Sequence, residues 1–405
     1  MATRTPALGA PRSSGSIAVV STYPPTRCGL ATFSSALIDA LRTRRPGQQV
    51  GVVALGEHPP QHDDIVFTLN GGGRAQLDAA AAVLNRFDTV ILQHEYGIYR
   101  GPDGASAVEL LHRLTRPTIT VLHTVLQHPS DSQRRVLEQV VDASSATVVM
   151  TEVARTRLVE RYAVERAAVH VIPHGSSAGS GQAAHDHDDR PLLLSWGLLG
   201  PGKGVEMAID ALSHLRDLDP APRYVVAGQT HPKVRERLGE SYRDMLMDRA
   251  RDRGVGHLVT FDDRYLDREA LTGLIHRADV VLLPYESREQ VTSGVLVDAI
   301  ACGRPVLATA FPHAVEISER GAGITVPQGD TAGFARALRA MLVDPGLAAD
   351  LQQGARRMAG ELAWDAVAAR YLRLAEQLQR QRRAPWAAAH RGRRSASTGE
   401  ATLVP

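Results

Sequence analysis

Lys203 stands in the run Gly197-Leu-Leu-Gly-Pro-Gly-Lys-Gly204, between an apolar stretch ending at Trp196 and a helical pattern opening at Val205. A glycine-rich turn in that place exposes backbone N–H groups and a helix N-terminus, both of which attract anions, and the lysine adds a full positive charge. Of 46 basic residues only Lys203 and Lys233 are lysine, so a lysine among glycines carries information that one more arginine would not. The spacing matches the Gly-x4-Gly-Lys phosphate loop in form. Gly204 nevertheless occupies the place of the magnesium-binding Ser or Thr, and the loop opens the second half of the chain, which argues against a P-loop NTPase.

A second constellation lies between Pro284 and Val306. A polar loop carries Glu289 and Gln290, Ser293 and Gly294 open a short helix, and Asp298 follows one turn on. Serine is a good N-cap, and the free N–H groups of a first helical turn can hold a phosphate. Asp298 is placed to accept hydrogen bonds from vicinal hydroxyls such as those of a ribose. In the first half, His123 ends the apolar run Ile119–His123, where a strand top meets a cleft, and Gly29 and Leu30 open the helix after the first strand. His94, Glu95 and Tyr96 end another strand and are candidates for the side of a second substrate. His58, His62 and His112 read as surface residues. The first strand is followed by a single glycine, Gly29, so the Gly-x-Gly-x-x-Gly dinucleotide fingerprint is absent, and Asn70–Arg74 reads as a turn.

These residues need elements to hold them. Apolar, β-branched runs at 16–22, 50–55, 89–93, 118–123, 147–150 and 169–173 alternate with helical patterns at 31–41, 74–86, 105–114, 132–141 and 152–161. Strands at 192–196, 224–228, 258–261, 280–284, 306–309 and 323–326 alternate with helices at 205–215, 234–252, 268–277, 295–301 and 331–342. Such alternation predicts an α/β chain with two doubly wound parallel sheets and ligands at the carboxyl ends of the strands. Late helical patterns at 347–362 and 364–379 pack across the surface or between the halves. The expected division is a flexible N-terminus over 1–15, a first domain over 16–174, a polar linker over 175–190 and a second domain over 191–362. A helix over 363–379 crosses back to the first domain, and a disordered basic tail follows over 380–405. The His185–Asp189 run reads as solvated linker rather than a metal site.

Composition narrows the classes. A chain of 405 residues with 43% hydrophobic and 22% charged residues is an ordinary folding protein, and its formal charge of +2 does not suit a nucleic-acid-binding body. Cys28 and Cys302 supply neither a disulfide framework nor a metal pair, and no run approaches the roughly 18 apolar residues of a membrane span. A cytoplasmic protein is expected, with the Arg-rich tail either solubilising or touching an anionic membrane face at the periphery.

Taken together, Gly-x5-Lys-Gly in the second domain, Ser-Gly followed by an acid and Gly-x-Pro-Val, and His-Thr at a strand end of the first domain resemble family 4 of the retaining GT-B glycosyltransferases over about residues 16–374. The segments Tyr23–Phe33, Gln93–Gly97 and Gln290–Gly294 resemble a bacterial subgroup of that family. The resemblance implies two Rossmann-like domains facing across a cleft, and transfer of a sugar from a nucleotide diphosphate sugar held mainly by the C-terminal domain. It implies no required cofactor and no metal. The acceptor would be a carbohydrate, a lipid-linked molecule or a small molecule on the N-terminal side. By resemblance Lys203, with Gly202 beside it, contacts the diphosphate, and His123 sits against the donor sugar. Gly29 and Leu30 let backbone approach the phosphates. The family arginine is replaced by Leu198, so Arg264, Arg288 or Arg304 substitutes, or the N–H groups of Ser293 and Gly294 take a larger share. Of two family glutamates seven residues apart, the second maps to Asp298 and the first to Gln290, beside Glu289. Two other readings compete: an epimerase-like nucleotide-sugar enzyme, and a catalytically silent sugar-nucleotide-binding partner.

Overall fold

A computed structural model describes residues 15–26, 28–56, 62–71, 73–177, 190–264 and 266–395, with 383–395 as backbone alone. The first domain has strands β1 (Ile17–Ser21), β2 (Val50–Leu55), β3 (Ile65–Leu69), β4 (Thr89–His94), β5 (Thr118–Leu122), β6 (Ala146–Val149) and β7 (Val169–Val171). Helices α1 (Gly29–Arg44), α2 (Arg74–Leu84), α3 (Ser106–Leu111), α4 (Asp131–Asp142) and α5 (Glu152–Arg161) lie between them. The second domain has β8 (Leu192–Trp196), β9 (Arg223–Ala227), β10 (Val259–Asp262), β11 (Val280–Leu283), β12 (Val306–Thr309) and β13 (Gly323–Val326). Its helices are α6 (Val205–Leu212), α7 (Pro232–Leu238), α8 (Ser241–Asp252), α9 (Arg268–Arg277), α10 (Gly294–Ala301), α11 (Pro312–Glu319), α12 (Thr331–Val343) and α13 (Pro345–Leu362). The chain closes with α14 (Trp364–Ser395).

Each sheet is parallel, ordered β3-β2-β1-β4-β5-β6-β7 and β10-β9-β8-β11-β12-β13. The near-continuous burial of β1, β2, β4, β5 and β6 is why their sequences read as unbroken apolar runs, since helices cover both faces. Strand order reverses between β1 and β4 in one sheet and between β8 and β11 in the other, and such a reversal opens a crevice at the carboxyl ends. Both candidate loops of the second domain leave those strands: Gly197–Gly204 follows β8, and Pro284–Ser293 follows β11.

Several elements depart from the sequence reading. Strand β3 sits at the sheet edge with its residues mostly half-exposed, so its pattern lacks the apolar continuity of the inner strands. The single helix expected over 234–252 is two, separated at Gly239, whose φ of +59° lies in the left-handed region that ends helices. Helix α11 starts with Pro312 at its first turn, a position that suits proline. Helix α14 extends to Ser395, into the range expected as a basic tail. Residues 1–14, 178–189 and 396–405 lie outside the described residues, and with them His185–Asp189, most of the expected linker, and the ends of the chain. His58 lies outside as well.

Helix α14 returns to the first domain and packs Val367, Ala368, Tyr371, Leu372 and Ala375 against the α1 face that carries Phe33, Leu37 and Leu41. The two crossings between the domains meet at one point. The Ser176 N–H donates to the Leu362 carbonyl at 2.7 Å and the Trp364 N–H to the Ser176 carbonyl at 3.1 Å. A Cβ on Gly175 would come within 2.2 Å of the Trp364 ring, so only glycine fits there.

Candidate active site

Between the domains lies a cleft of about 560 Å³. Gly29, Leu30, Phe33, Glu95, His123, Thr124 and His174 line it from one side, and Lys203, Tyr285, Glu289, Gln290, Ser293 and Gly294 from the other. A second chamber of about 520 Å³ shares Gly29, Phe33, His174, Gly294 and Val295 with it and adds Arg268 and Asp298.

The glycine loop owes its shape to packing. Gly204 caps α6 at φ +68°, and a Cβ there would fall 1.8 Å from the Pro284 carbonyl oxygen. The Glu286 N–H donates to the Gly202 carbonyl at 3.1 Å, which ties this loop to the one after β11. Lys203 is not an exposed loop charge. Its Nζ sits 4.6 Å from the centre of the Tyr285 ring, and burial holds its pKa below the usual lysine range. Tyr285 thus supplies a π face to the ammonium group until a better partner arrives.

At α10 the Ser293 hydroxyl accepts from the Leu296 N–H at 3.3 Å, as an N-cap should. The Ser293 N–H donates to His313 Nδ1 at 3.0 Å, which corrects the expectation that this amide is free for a phosphate. Gly294 and Val295 line the cleft, and their amides have no hydrogen-bond partner among the described residues. Gln290 Nε2 donates to the Thr292 carbonyl at 3.1 Å, leaving Oε1 as its accepting end. An amide held this way presents one oxygen, much as a carboxylate would.

Asp298 lies in the second chamber. Its Oδ1 accepts from the Ser176 hydroxyl at 2.7 Å, and burial pushes its pKa up to about 6. Its other oxygen is the one left for a hydroxyl-bearing ligand. His123 lines the cleft with Nε2 bonded to Gln93 Oε1 at 2.7 Å and Phe33 edge-on at 5.0 Å. Burial lowers its pKa to about 3, so it is a neutral imidazole with Nδ1 available.

Of the three residues expected on the acceptor side, only Glu95 reaches the cleft, where its carboxylate accepts from the Thr124 hydroxyl at 2.6 Å. His94 is wholly buried against Tyr96 and Tyr99 and cannot touch a ligand in this conformation. The Tyr96 hydroxyl donates to the Gln133 carbonyl. Gly202, with φ +87°, shapes the turn but does not line the cleft. His62 and His112 are exposed, as expected.

Sequence reasoning missed His174, which lines both chambers and bonds its Nδ1 to the Gly175 carbonyl at 2.7 Å. It also missed His313, which fixes Ser293, and Arg268, which brings a cation to Asp298. The one signal in the sequence was the His174-Gly175 pair at the domain junction, since a glycine there announces a tight crossing.

Two family models match the chain. "Glycosyl transferases group 1" covers residues 182–358 and "Glycosyltransferase Family 4" residues 28–177. The resemblance is to the group 1 glycosyltransferases. D-inositol 3-phosphate glycosyltransferase of Jonesia denitrificans is 29% identical over 277 residues, 62% of this chain and 63% of that protein. Glycogen synthase of Mycobacterium tuberculosis is 33% identical over 178 residues, 44% of this chain and 40% of its own. The chain therefore spans less than two thirds of the length of these relatives. Anabaena Alr3699/HepE, crystallised in complex with UDP, superposes with a TM-score of 0.71 at 18% identity, covering 89% of this chain and all of that one. The fold is GT-B.

The resemblance implies an arginine at the place of Leu198, for which Arg264, Arg288 and Arg304 are the expected substitutes. Arg264 forms a paired contact with Asp262 at 2.9 and 2.7 Å, and Arg304 donates to the Cys302 and Ala278 carbonyls. Neither of them, nor Arg288, lines the cleft, so Lys203 is the cation among its lining residues.

Proposed function

We propose that this chain transfers a hexose from a UDP- or GDP-linked sugar to a carbohydrate, lipid-linked or small-molecule acceptor, with retention of configuration and without a metal ion. The observation that carries the reading is the convergence of Lys203, Gly294 and Val295 of the α10 N-terminus, and His123 on one cleft between two Rossmann-like domains. The crystal complex of Anabaena Alr3699/HepE with UDP is in keeping with it.

In this reading the diphosphate lies across Lys203 and the N-terminus of α10. Those groups oppose the negative charge that develops as the glycosidic bond breaks, and they are already in place when it does. Asp298 holds the ribose, Gln290 Oε1 accepts from a sugar hydroxyl, and the His123 Nδ1 faces the reacting sugar. The leaving phosphate oxygen takes the acceptor proton on the same face, which accounts for retention without a separate base. The acceptor occupies the N-terminal side, near Glu95.

Incubation with UDP- and GDP-sugars in the absence of acceptor is expected to release nucleoside diphosphate slowly. Lys203→Ala is expected to weaken donor binding and turnover together, each about tenfold or more, with a cooperative melt retained. Epimerised donor would move the assignment to an epimerase, and binding without release to a silent partner. No thermal shift with any nucleotide sugar overturns the reading.

A further inference from the structure

We propose that Arg157 is a positioning residue for sugar transfer: one guanidinium ties the turn after His123 to the loop that carries Gln290. It thereby sets the spacing of the two groups that face the sugar from opposite domains. The proposal rests on the glycosyltransferase reading for its consequence and on geometry alone for the contact.

Arg157 lies on α5 and is 6% exposed. Its Nη1 donates to the Val125 carbonyl at 2.6 Å, two residues beyond His123, and crosses to the second domain to reach the Glu289 carbonyl at 3.2 Å and Glu289 Oε2 at 3.0 Å. The same carboxylate oxygen accepts from the Gln127 N–H at 2.7 Å. Glu289 is therefore engaged by the first domain through Oε2, next to Gln290 in the cleft wall.

The rest of α5 reinforces the contact. The Thr151 hydroxyl at its N-cap donates to the Val291 carbonyl at 3.0 Å. Glu316 of α11 accepts from the Glu152 and Val153 N–H groups at 3.3 and 3.1 Å, a carboxylate set against the positive end of the helix. One helix of the first domain thus carries bonds to the Glu289–Val291 loop and to α11. Other charges facing Arg157 are few; Arg161 and the Tyr162 hydroxyl, which donates to the Leu126 carbonyl, are the neighbours on its own side. Separating the domains would break the Arg157 bonds to Glu289 while leaving its bond to the Val125 carbonyl within the first domain. The clasp consequently favours the arrangement in which His123 and Gln290 share one cleft.

The test uses the full chain with Arg157→Met, Arg157→Lys, Glu289→Leu and the Arg157→Met/Glu289→Leu double variant. Amide hydrogen exchange at Gln127 is expected to quicken at least tenfold in Arg157→Met and Glu289→Leu, with no further gain in the double variant. Turnover is expected to fall at least 30-fold in both, while nucleoside diphosphate affinity by calorimetry stays within threefold, and Arg157→Lys recovers part of the loss. Glu289 is partly exposed, so its variant keeps the test alive if Arg157→Met does not fold. Unchanged exchange at Gln127 in Glu289→Leu, or equal losses of turnover and affinity, overturns the proposal. Exchange needs no substrate, so failure of the native chain to turn over any nucleotide sugar would sink the transfer reading alone.

Discussion

His123 enters any reaction as a neutral group, because burial has taken its pKa far below the working range and Gln93 has claimed Nε2. It can orient a hydroxyl or shield a developing positive centre through Nδ1, and it cannot bring a charge. It also stands across the cleft from Lys203 and Gln290, so it gains most in the closed, reacting complex. A group of that kind lowers turnover more than ground-state binding when removed. His123→Ala is expected to cut turnover about 100-fold while nucleoside diphosphate affinity stays within about threefold, or roughly 0.7 kcal/mol, by calorimetry. Loss of nucleotide binding together with the cooperative melt would make it a core histidine instead. Lys203, Ser293 and His123 were legible in the sequence because each sits beside a glycine turn or at a strand end. His174, His313 and Arg157 were not. They are ordinary residues whose partners lie far off in sequence, as Arg157 and Glu289 do at a separation of 132, and only the folded chain brings them together.

At the scale of elements, strand–helix alternation was easy to read wherever a strand is buried on both faces, and hard where it is not. Strand β3 escaped because Ile65 to Thr68 are only partly covered. The break between α7 and α8 turned on Gly239, which lies inside the range expected as one helix and takes a left-handed φ. The loop after β8 shows the opposite case, in which the glycines announced a turn but not why it must be glycine. Gly204 lies against the Pro284 carbonyl, so the loop that bears Lys203 is braced by the strand-end that leads to Gln290. Gly204→Ala must move one of the two loops and hold a left-handed φ with a Cβ attached. The expected result is a fall in stability of at least about 2 kcal/mol in urea melts, in the range of a strained, overpacked site, with donor affinity reduced at least tenfold. Native-like affinity in Gly204→Ala would show that the two loops move independently.

At the scale of the whole molecule, four histidines with lowered pKa values lie near the junction of its halves. His123 and His174 pack against Phe33, His313 holds Ser293 at the N-terminus of α10, and the His94 carbonyl accepts from the His123 N–H; the pKa values of His123, His174, His313 and His94 are lowered to about 3, 4, 3 and 4 by burial. The ordinary value is 6.5. Between about pH 6.5 and 4 the unfolded chain therefore binds protons that the folded chain refuses, and stability must fall as the pH falls through that window. Each unit of depression withdraws about 1.4 kcal/mol. Asp298 works in the other direction, since its raised value of about 6 lets the folded state hold a proton more readily, but it is one group against four. His174 also repels both His123 and His313 when charged, so the first proton admitted makes the next costlier. The urea midpoint is expected to be flat from pH 8 to 7 and to drop steeply between pH 6 and 4.5. His313→Asn should make the drop shallower while loosening Ser293 at the mouth of α10. A midpoint that stays constant from pH 7 to 5 would mean that these rings take up protons without unfolding, and that the cleft opens to water far more readily than its packing implies.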